Sequence, residues 1–537
     1  MILYACAGCE ATLDPGRNSN EPVSVEMEPE VEVDPPLPVD DEEMTPSPAC
    51  VGAAAPLRRL TRQELELALS AALRVPVEAA RALPPDETVG PFAANSSLPP
   101  SESWTRTIME LAERTARRVP RERLSCDQPD CFEGTLQNLV QPLWRRDLAP
   151  EDENVLRELW ARGRELTGTS TGAWTLIVEA AIQSPDFLYR LESPSLTPNE
   201  LANRLAFFLW AEGPDARLWA ASEAGGLSTR AGLEEEIDRM LDDPRAARLS
   251  ERFVTGWLDL SRLTEVPKHF SFLRFDAEAR AAMKDETIRF FDAIARRSEG
   301  NLHTLMTAEW TLLDRALLPI YGLAVPDDFD PERPITLPEG QRYGILSHPS
   351  VMTVHSTSKE SSPIARGSMI LDNLLCIHIE LPDIEIPELP EPTPGQSKRE
   401  RLAAHNSEPA CAACHQFIDP IGFSFEALDA IGQYQSEDAE GRPIDDQGAL
   451  SVGSPSDGPA TGVQALSERI MQTPDFTECF VRQWMRLGFG RPATQEDACV
   501  LERLTESFVD ANHDMRTLIT ELAMSPSFSG LPEEPRP

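Results

Sequence analysis

Residues 411 to 415 read Cys-Ala-Ala-Cys-His and bring two thiols and an imidazole together within five positions. With 10 Cys and 8 His among 537 residues, chance placement of this pattern is on the order of a few in a thousand. Thiols at this spacing suit thioether bonds to the vinyl groups of one haem, with His415 next in line to ligate the iron. The rival readings are weaker. A structural zinc site needs four ligands, and no second C-x-x-C accompanies Cys411 and Cys414. A thioredoxin-like redox pair needs a β-α-β setting, whereas the segment before Cys411 is proline-rich and helical. One covalent haem c per chain is the expectation.

The chain is long enough for several domains, each with its own core. Its net charge of −40 opposes binding to phosphate backbones, so nucleic acid is not an expected partner. No later apolar run is long enough to cross a membrane. Residues 1–9 resemble the tail of a truncated lipoprotein-type signal, with Ala7 and Gly8 just before Cys9. This predicts lipidation of Cys9 and membrane attachment through that anchor alone. Setting aside Cys6, Cys9 and the haem pair leaves six cysteines, Cys50, Cys126, Cys131, Cys376, Cys479 and Cys499. An even number fits an oxidising compartment. Many connectivities are open, and the local guesses are Cys126 with Cys131 and Cys479 with Cys499.

Residues 21 to 50 carry ten Asp or Glu, seven Pro and no Lys or Arg. Such a segment buries too little apolar surface to offset its ordering entropy, so 10–55 reads as an acidic, disordered tether. Beyond it the pattern is helical. Thr61 with Glu64 forms a capping box ahead of Leu65, Leu69 and Leu73, and Thr197, Pro198 and Glu200 mark a second start. Amphipathic stretches follow at 101–118, 151–163, 173–183, 231–242, 276–297, 463–472, 477–489 and 494–509. Ser184-Pro185-Asp186-Phe187, Thr473-Pro474-Asp475-Phe476 and Ser525-Pro526-Ser527-Phe528 read as helix stops. Phe207, Phe208, Trp210, Phe253, Trp257, Phe290 and Phe291 read as core. Residues 381–394, with five prolines, favour an extended segment, and 441–462 a short β-hairpin. The expected fold is mainly α, a multi-module helical protein with an embedded cytochrome-c-like haem module. Its helical modules span 56–125, 126–192, 193–325 and 455–531, and the haem-bearing module spans 338–437.

His405, Pro409, Cys411, Cys414 and His415, followed by Asp419-Pro420-Ile421-Gly422-Phe423, Glu426, Asp429 and Gly432, carry a family resemblance. Gly344-Ile345-Leu346, Ser362-Pro363, Arg366-Gly367 and Leu374-Leu375-Cys376 extend it upstream. Ser184-Pro185, Phe187-Leu188-Tyr189-Arg190, Phe207-Phe208-Leu209-Trp210 and Pro214-Asp215 match a preceding helical module. Cys479, Trp484, Gly490-Arg491, Asp497 and Cys499 match a closing one. From about Leu57 to Gly530 the chain resembles secreted cytochrome-c-like proteins of planctomycete and myxobacterial type, built from serial uncharacterised domains. Where that family has an Arg-Arg-Pro signature this chain has Arg145-Arg146-Asp147, and Asp383, Glu385, Glu388 and Glu391 dilute its proline run.

A second axial ligand would make a six-coordinate electron carrier, and an open position a catalytic site. His405 matches the family and is the first candidate for that place, with Met352, His355 and Met485 as alternatives. Asp419-Pro420 is expected to end the attachment helix and set a carbonyl against the His415 imidazole. Arg366 is a candidate partner for a haem propionate. Glu426 and Asp429 read as turn caps. These expectations converge on a periplasmic or outer-membrane-tethered monohaem cytochrome exchanging electrons with a redox partner protein. The rivals are a peroxidase- or oxygenase-type haem enzyme acting on an extracellular substrate, and a binding or scaffold lipoprotein with structural haem. No G-x-S-x-G, H-E-x-x-H or P-loop supports hydrolase or nucleotide chemistry.

Overall fold

A computed structural model describes residues 50–532 except 51, 54–55, 80, 98, 194, 298–299, 380–392, 394, 407–408 and 439, together with the strand Val31–Val33. The signal-like start with Cys9, most of the acidic tether, and the extended segment after Leu381 lie outside the described residues. So does the side chain of His405, although the helix Lys398–His405 that carries it is described.

The protein is mainly helical with short strand pairs. Thr61 and Thr197 close the capping boxes their spacing predicts, each accepting from the N3 amide while Glu64 or Glu200 reaches back. The hairpin in 441–462 forms from Gln447–Leu450 and Gly458–Thr461. Two features depart from the tether expectation at its far end. Val31–Val33 pairs antiparallel with Ile377–Ile379, and Cys50 is buried in a disulfide to Cys499.

The three proline motifs do more than stop helices. Pro185, Pro474 and Pro526 each stand at the start of a new helix, Pro185–Leu188, Pro474–Phe489 and Pro526–Ser529. Proline lacks the amide that a first helical residue leaves unpaired, which suits it to that position. The Phe two residues on is fully buried in all three.

Two hydrophobic cores result. The first gathers Leu60 to Leu188 around Trp174 and Phe187, and the second runs from Leu201 to Phe528. Helix Pro198–Trp210 lies between them, with Phe207 in the first core and Phe208 and Trp210 in the second. Burial on both sides explains why its apolar residues do not keep to one stripe. Within the second core Phe253 stacks on Trp484 with centroids 4.0 Å apart and planes 11° from parallel. Phe291 stacks on the same Phe253, so the central and closing helical regions share one aromatic cluster.

Arg145, in a left-handed conformation, is buried and donates to the carbonyls of Leu143, Asp186, Phe187 and Tyr189. Arg146 pairs with Asp152 and Asp186. The Arg-Arg pair is therefore a structural joint. Among the described residues no helix is long and apolar enough to cross a membrane.

Candidate functional site

The helix Pro409–Phe423 carries Cys411, Cys414 and His415. It does not stop at Asp419-Pro420 as expected but runs through Pro420. Proline there removes the donor for the carbonyl of Gln416, and Gln416 is exposed, so water can satisfy that group. Continuing the helix puts Asp419 four residues after His415 on the same face. The Asp419 carboxylate, not a backbone carbonyl, then takes the imidazole. Nδ1 of His415 lies 2.9 Å from Asp419 Oδ1, and Asn406 Nδ2 donates to Oδ2. With Nδ1 engaged, Nε2 is the nitrogen through which the ring would ligate a metal.

Three glycines hold this helix against its neighbours. Gly367, on the helix Pro363–Met369, lies against the carbonyl of Ile418, and Gly422 lies against the carbonyl of Pro363. A β-carbon at either would overlap the facing backbone. Gly448, on the hairpin strand Gln447–Leu450, meets the Pro420 carbonyl and the Ser424 side chain in the same way. The motif helix is thus clamped backbone to backbone on two sides, which fixes where His415 stands.

Cys411 and Cys414 are free thiols and half-buried. The other described cysteines are all in disulfides, Cys50–Cys499, Cys126–Cys131 and Cys376–Cys479. Cys126 and Cys131 pair as guessed. Cys479 and Cys499 do not pair with each other, because Cys376 and Cys50 are brought to them from distant sequence. Burial, and then the neighbouring Cys411, push the Cys414 thiol pKa up.

A shallow cleft of about 270 Å³ opens over His415, lined also by Leu402, Ala412, Asp419, Phe423 and Arg399. His415 opens on this cleft beside apolar side chains, and Cys411 and Cys414 stand as free thiols on the same helix without lining it, residue types that suit covalent haem.

Arg366 does not belong to this set. It is fully buried, donating from Nη1 to the carbonyls of Phe425 and Leu428, and from Nη2 to Asp429 O and Ser356 Oγ, all at 2.7–2.9 Å. Burial depresses its pKa to about 10. It ties the turn after the motif helix to the helix before it and is not available to a propionate. Arg399 is the basic residue at the cleft. Its guanidinium lies 3.8 Å from the Phe423 ring centroid and donates through Nε to Asp445 and through Nη2 to Gln447 O. Nη1 remains for a further acceptor. Nothing in its local sequence distinguishes it from other surface arginines.

Met352 is fully buried in the second core, packed beside Gly432, and does not line the cleft. Met485 is likewise core. His355 is buried with Nε2 3.2 Å from the Leu258 carbonyl, and burial depresses its pKa to about 4. None of the three stands at His415. Asp429 caps its own turn, accepting from the amides of Ile431 and Gln433, and Glu426 accepts from Ser361 and Lys398. Among the described residues no cluster of three or more His, Cys, Asp or Glu is arranged to hold a metal ion.

Five family models match in succession, each described as a protein of unknown function: DUF1587 at 58–120, DUF1595 at 131–192, DUF1592 at 196–323, DUF1588 at 342–438 and DUF1585 at 458–528. The motif helix lies within the fourth. No curated protein and no solved structure matches the chain. The chain is thus a serial array of these five domains of unknown function.

Proposed function

We propose that the protein is a monohaem c-type cytochrome-like protein of an extracytoplasmic, oxidising compartment, exchanging single electrons with a redox partner protein. The observation that carries this reading is the contrast among cysteines. The other described thiols are oxidised in pairs, while Cys411 and Cys414 stay reduced beside His415. Thiols reserved in this way suit thioether attachment. Disulfides of this number belong to secreted or periplasmic proteins, and a lipid on Cys9 would tether the body to a membrane.

When bound, haem c supplies one-electron chemistry. The chain's own residues set its terms. His415 would ligate through Nε2, Asp419 holds the ring and increases its basicity, and Arg399 offers Nη1 to a propionate. Leu402 and Phe423, which line the cleft, would exclude water from the bound group. His405 is proposed as the second residue that would ligate the iron.

Expression in the periplasm with haem-maturation machinery tests this. The expected result is haem that stays with the polypeptide on denaturing gels and is lost when Cys411 and Cys414 are both replaced by Ser. A low-spin spectrum that turns high-spin in His405→Ala would assign the sixth ligand. A wild type with no covalent haem would overturn the reading.

A further inference from the structure

A second and larger cleft, of about 830 Å³, opens on the other side of helix Pro363–Met369 from the motif helix. Gly367 of that helix meets the motif helix, while Ala365, Ser368 and Met369 line the cleft. Four of the five serial domains build its wall. Gly90 and Pro91 come from the first, Gly256 to Arg262 from the third, His355 to His378 from the fourth, and Gln483 and Arg486 from the last. A space of this size is at the upper end of small-ligand sites.

Its floor has built features. The backbone winds into a π-helical turn at Ile370–Leu374, a distortion that recurs at functional sites, and this turn sets Asp372 and Asn373 on the wall. The Asn373 carbonyl accepts from Trp257 Nε1 at 2.9 Å and Gln483 Nε2 at 3.1 Å, which fixes the turn to two other domains. His355, buried to more than nine-tenths, has one tautomer imposed on it. The Leu258 carbonyl can only accept, so Nε2 carries the proton and Nδ1 is a lone-pair acceptor with no partner among the described residues. An acceptor without a protein partner in a cleft wall is a place for a ligand donor.

The charge pattern selects the ligand class. Both carboxylates of the wall already have basic partners within it, Asp259 with Arg262 at 2.8 Å and Asp372 with His378 at 3.0 Å. A cationic ligand would have to break one of these pairs, and Arg486, the remaining basic residue of the wall, already donates to Gln483 Oε1 at 3.3 Å. Among the described residues no Phe, Tyr or Trp lines the cleft, so a flat aromatic ligand finds no stacking surface there. What remains is a mixture of hydrogen-bond donors and acceptors, with Ser261, Ser368 and Gln483 beside the His355 acceptor. We propose that this interdomain cleft binds a neutral polyhydroxylated ligand of the carbohydrate class, with His355 Nδ1 accepting one of its hydroxyls. The assignment is independent of haem.

Affinity electrophoresis of the full chain through native gels containing neutral glucan, xylan or mannan tests it, with the polyanion pectate as the charge control. Retardation by at least one neutral polysaccharide is expected, lost in Ser368→Trp, which fills the cleft, and at least tenfold weaker in His355→Phe. Should Ser368→Trp fail to fold, Ser261→Trp, at an exposed wall position, takes its place. Passage unretarded through every neutral gel, retardation by pectate alone, or retardation that survives the Trp variant would each overturn the proposal.

Discussion

Asp419 Oδ1 stands 2.9 Å from His415 Nδ1, one helical turn away, and Asn406 holds the other carboxylate oxygen. An anionic acceptor on the far nitrogen of a ligating imidazole makes it a stronger donor and favours the more positive metal state. Asp419→Asn keeps the shape and removes the charge. If second-shell loss changes relative affinity by about 10–100-fold, the one-electron potential should rise by about 60–120 mV. Spectroelectrochemistry on covalently loaded protein reads it, and an unchanged or lower potential would contradict this role for Asp419.

The contacts of Gly367 and Gly422 predict intolerance of a single methyl. Gly367→Ala or Gly422→Ala should cost about 1–3 kcal/mol by overpacking. Gly395→Ala, which meets nothing but is held at positive φ, is a useful contrast, since only its backbone would be strained. Urea midpoints at constant slope measure the difference.

Cys376–Cys479 closes a separation of 103 residues between the fourth and fifth domains. In the chain-entropy view a loop of that length is worth about 4–5 kcal/mol. The double Ser variant should lose stability on that order and loosen the wall beside Asn373. Amide exchange at residues 370–376 would report the loosening.

Glu286 is fully buried, accepting from Tyr321 and Thr311, with His348 Nε2 at 3.9 Å. Burial raises its pKa to about 7, against lowering by Tyr321, Thr311, Arg342 and Arg289. A carboxyl whose folded pKa exceeds its unfolded value stabilises fully below the unfolded value, near 4.5, and loses that contribution as pH rises through 7. His348 and His355, depressed by burial to about 3 and about 4, act in the opposite sense. Their contribution is whole above about 6.5 and falls as the solution is acidified. Glu286→Gln should therefore gain on wild type between pH 5 and pH 8, by up to about 3 kcal/mol. Thermal melts across that range check it, and a constant difference would count against the burial argument.

What the sequence made legible was local. The capping boxes at Thr61 and Thr197, the core aromatics Phe207 and Trp210, and the Cys126–Cys131 pair each depend on neighbours within a few positions. Arg366 misled because its carbonyl acceptors lie at 425–429, far along the sequence, so nothing beside it shows that its guanidinium is already engaged. Cys479 misled for the same reason, its partner arriving from 103 residues away. Pro420 read as a stop, but a helix tolerates proline where the freed carbonyl, here that of exposed Gln416, faces water. That continuation is what brought Asp419 to His415.

The Cys50–Cys499 bond spans 449 positions of sequence in one covalent step. A pull applied at Cys50 passes directly into the helix Ala498–Asp510 near the far end of the fold. Upstream of Cys50, Val31–Val33 pairs with Ile377–Ile379, whose His378 lines the large cleft, so a pull from that side reaches the cleft wall before it reaches the disulfide.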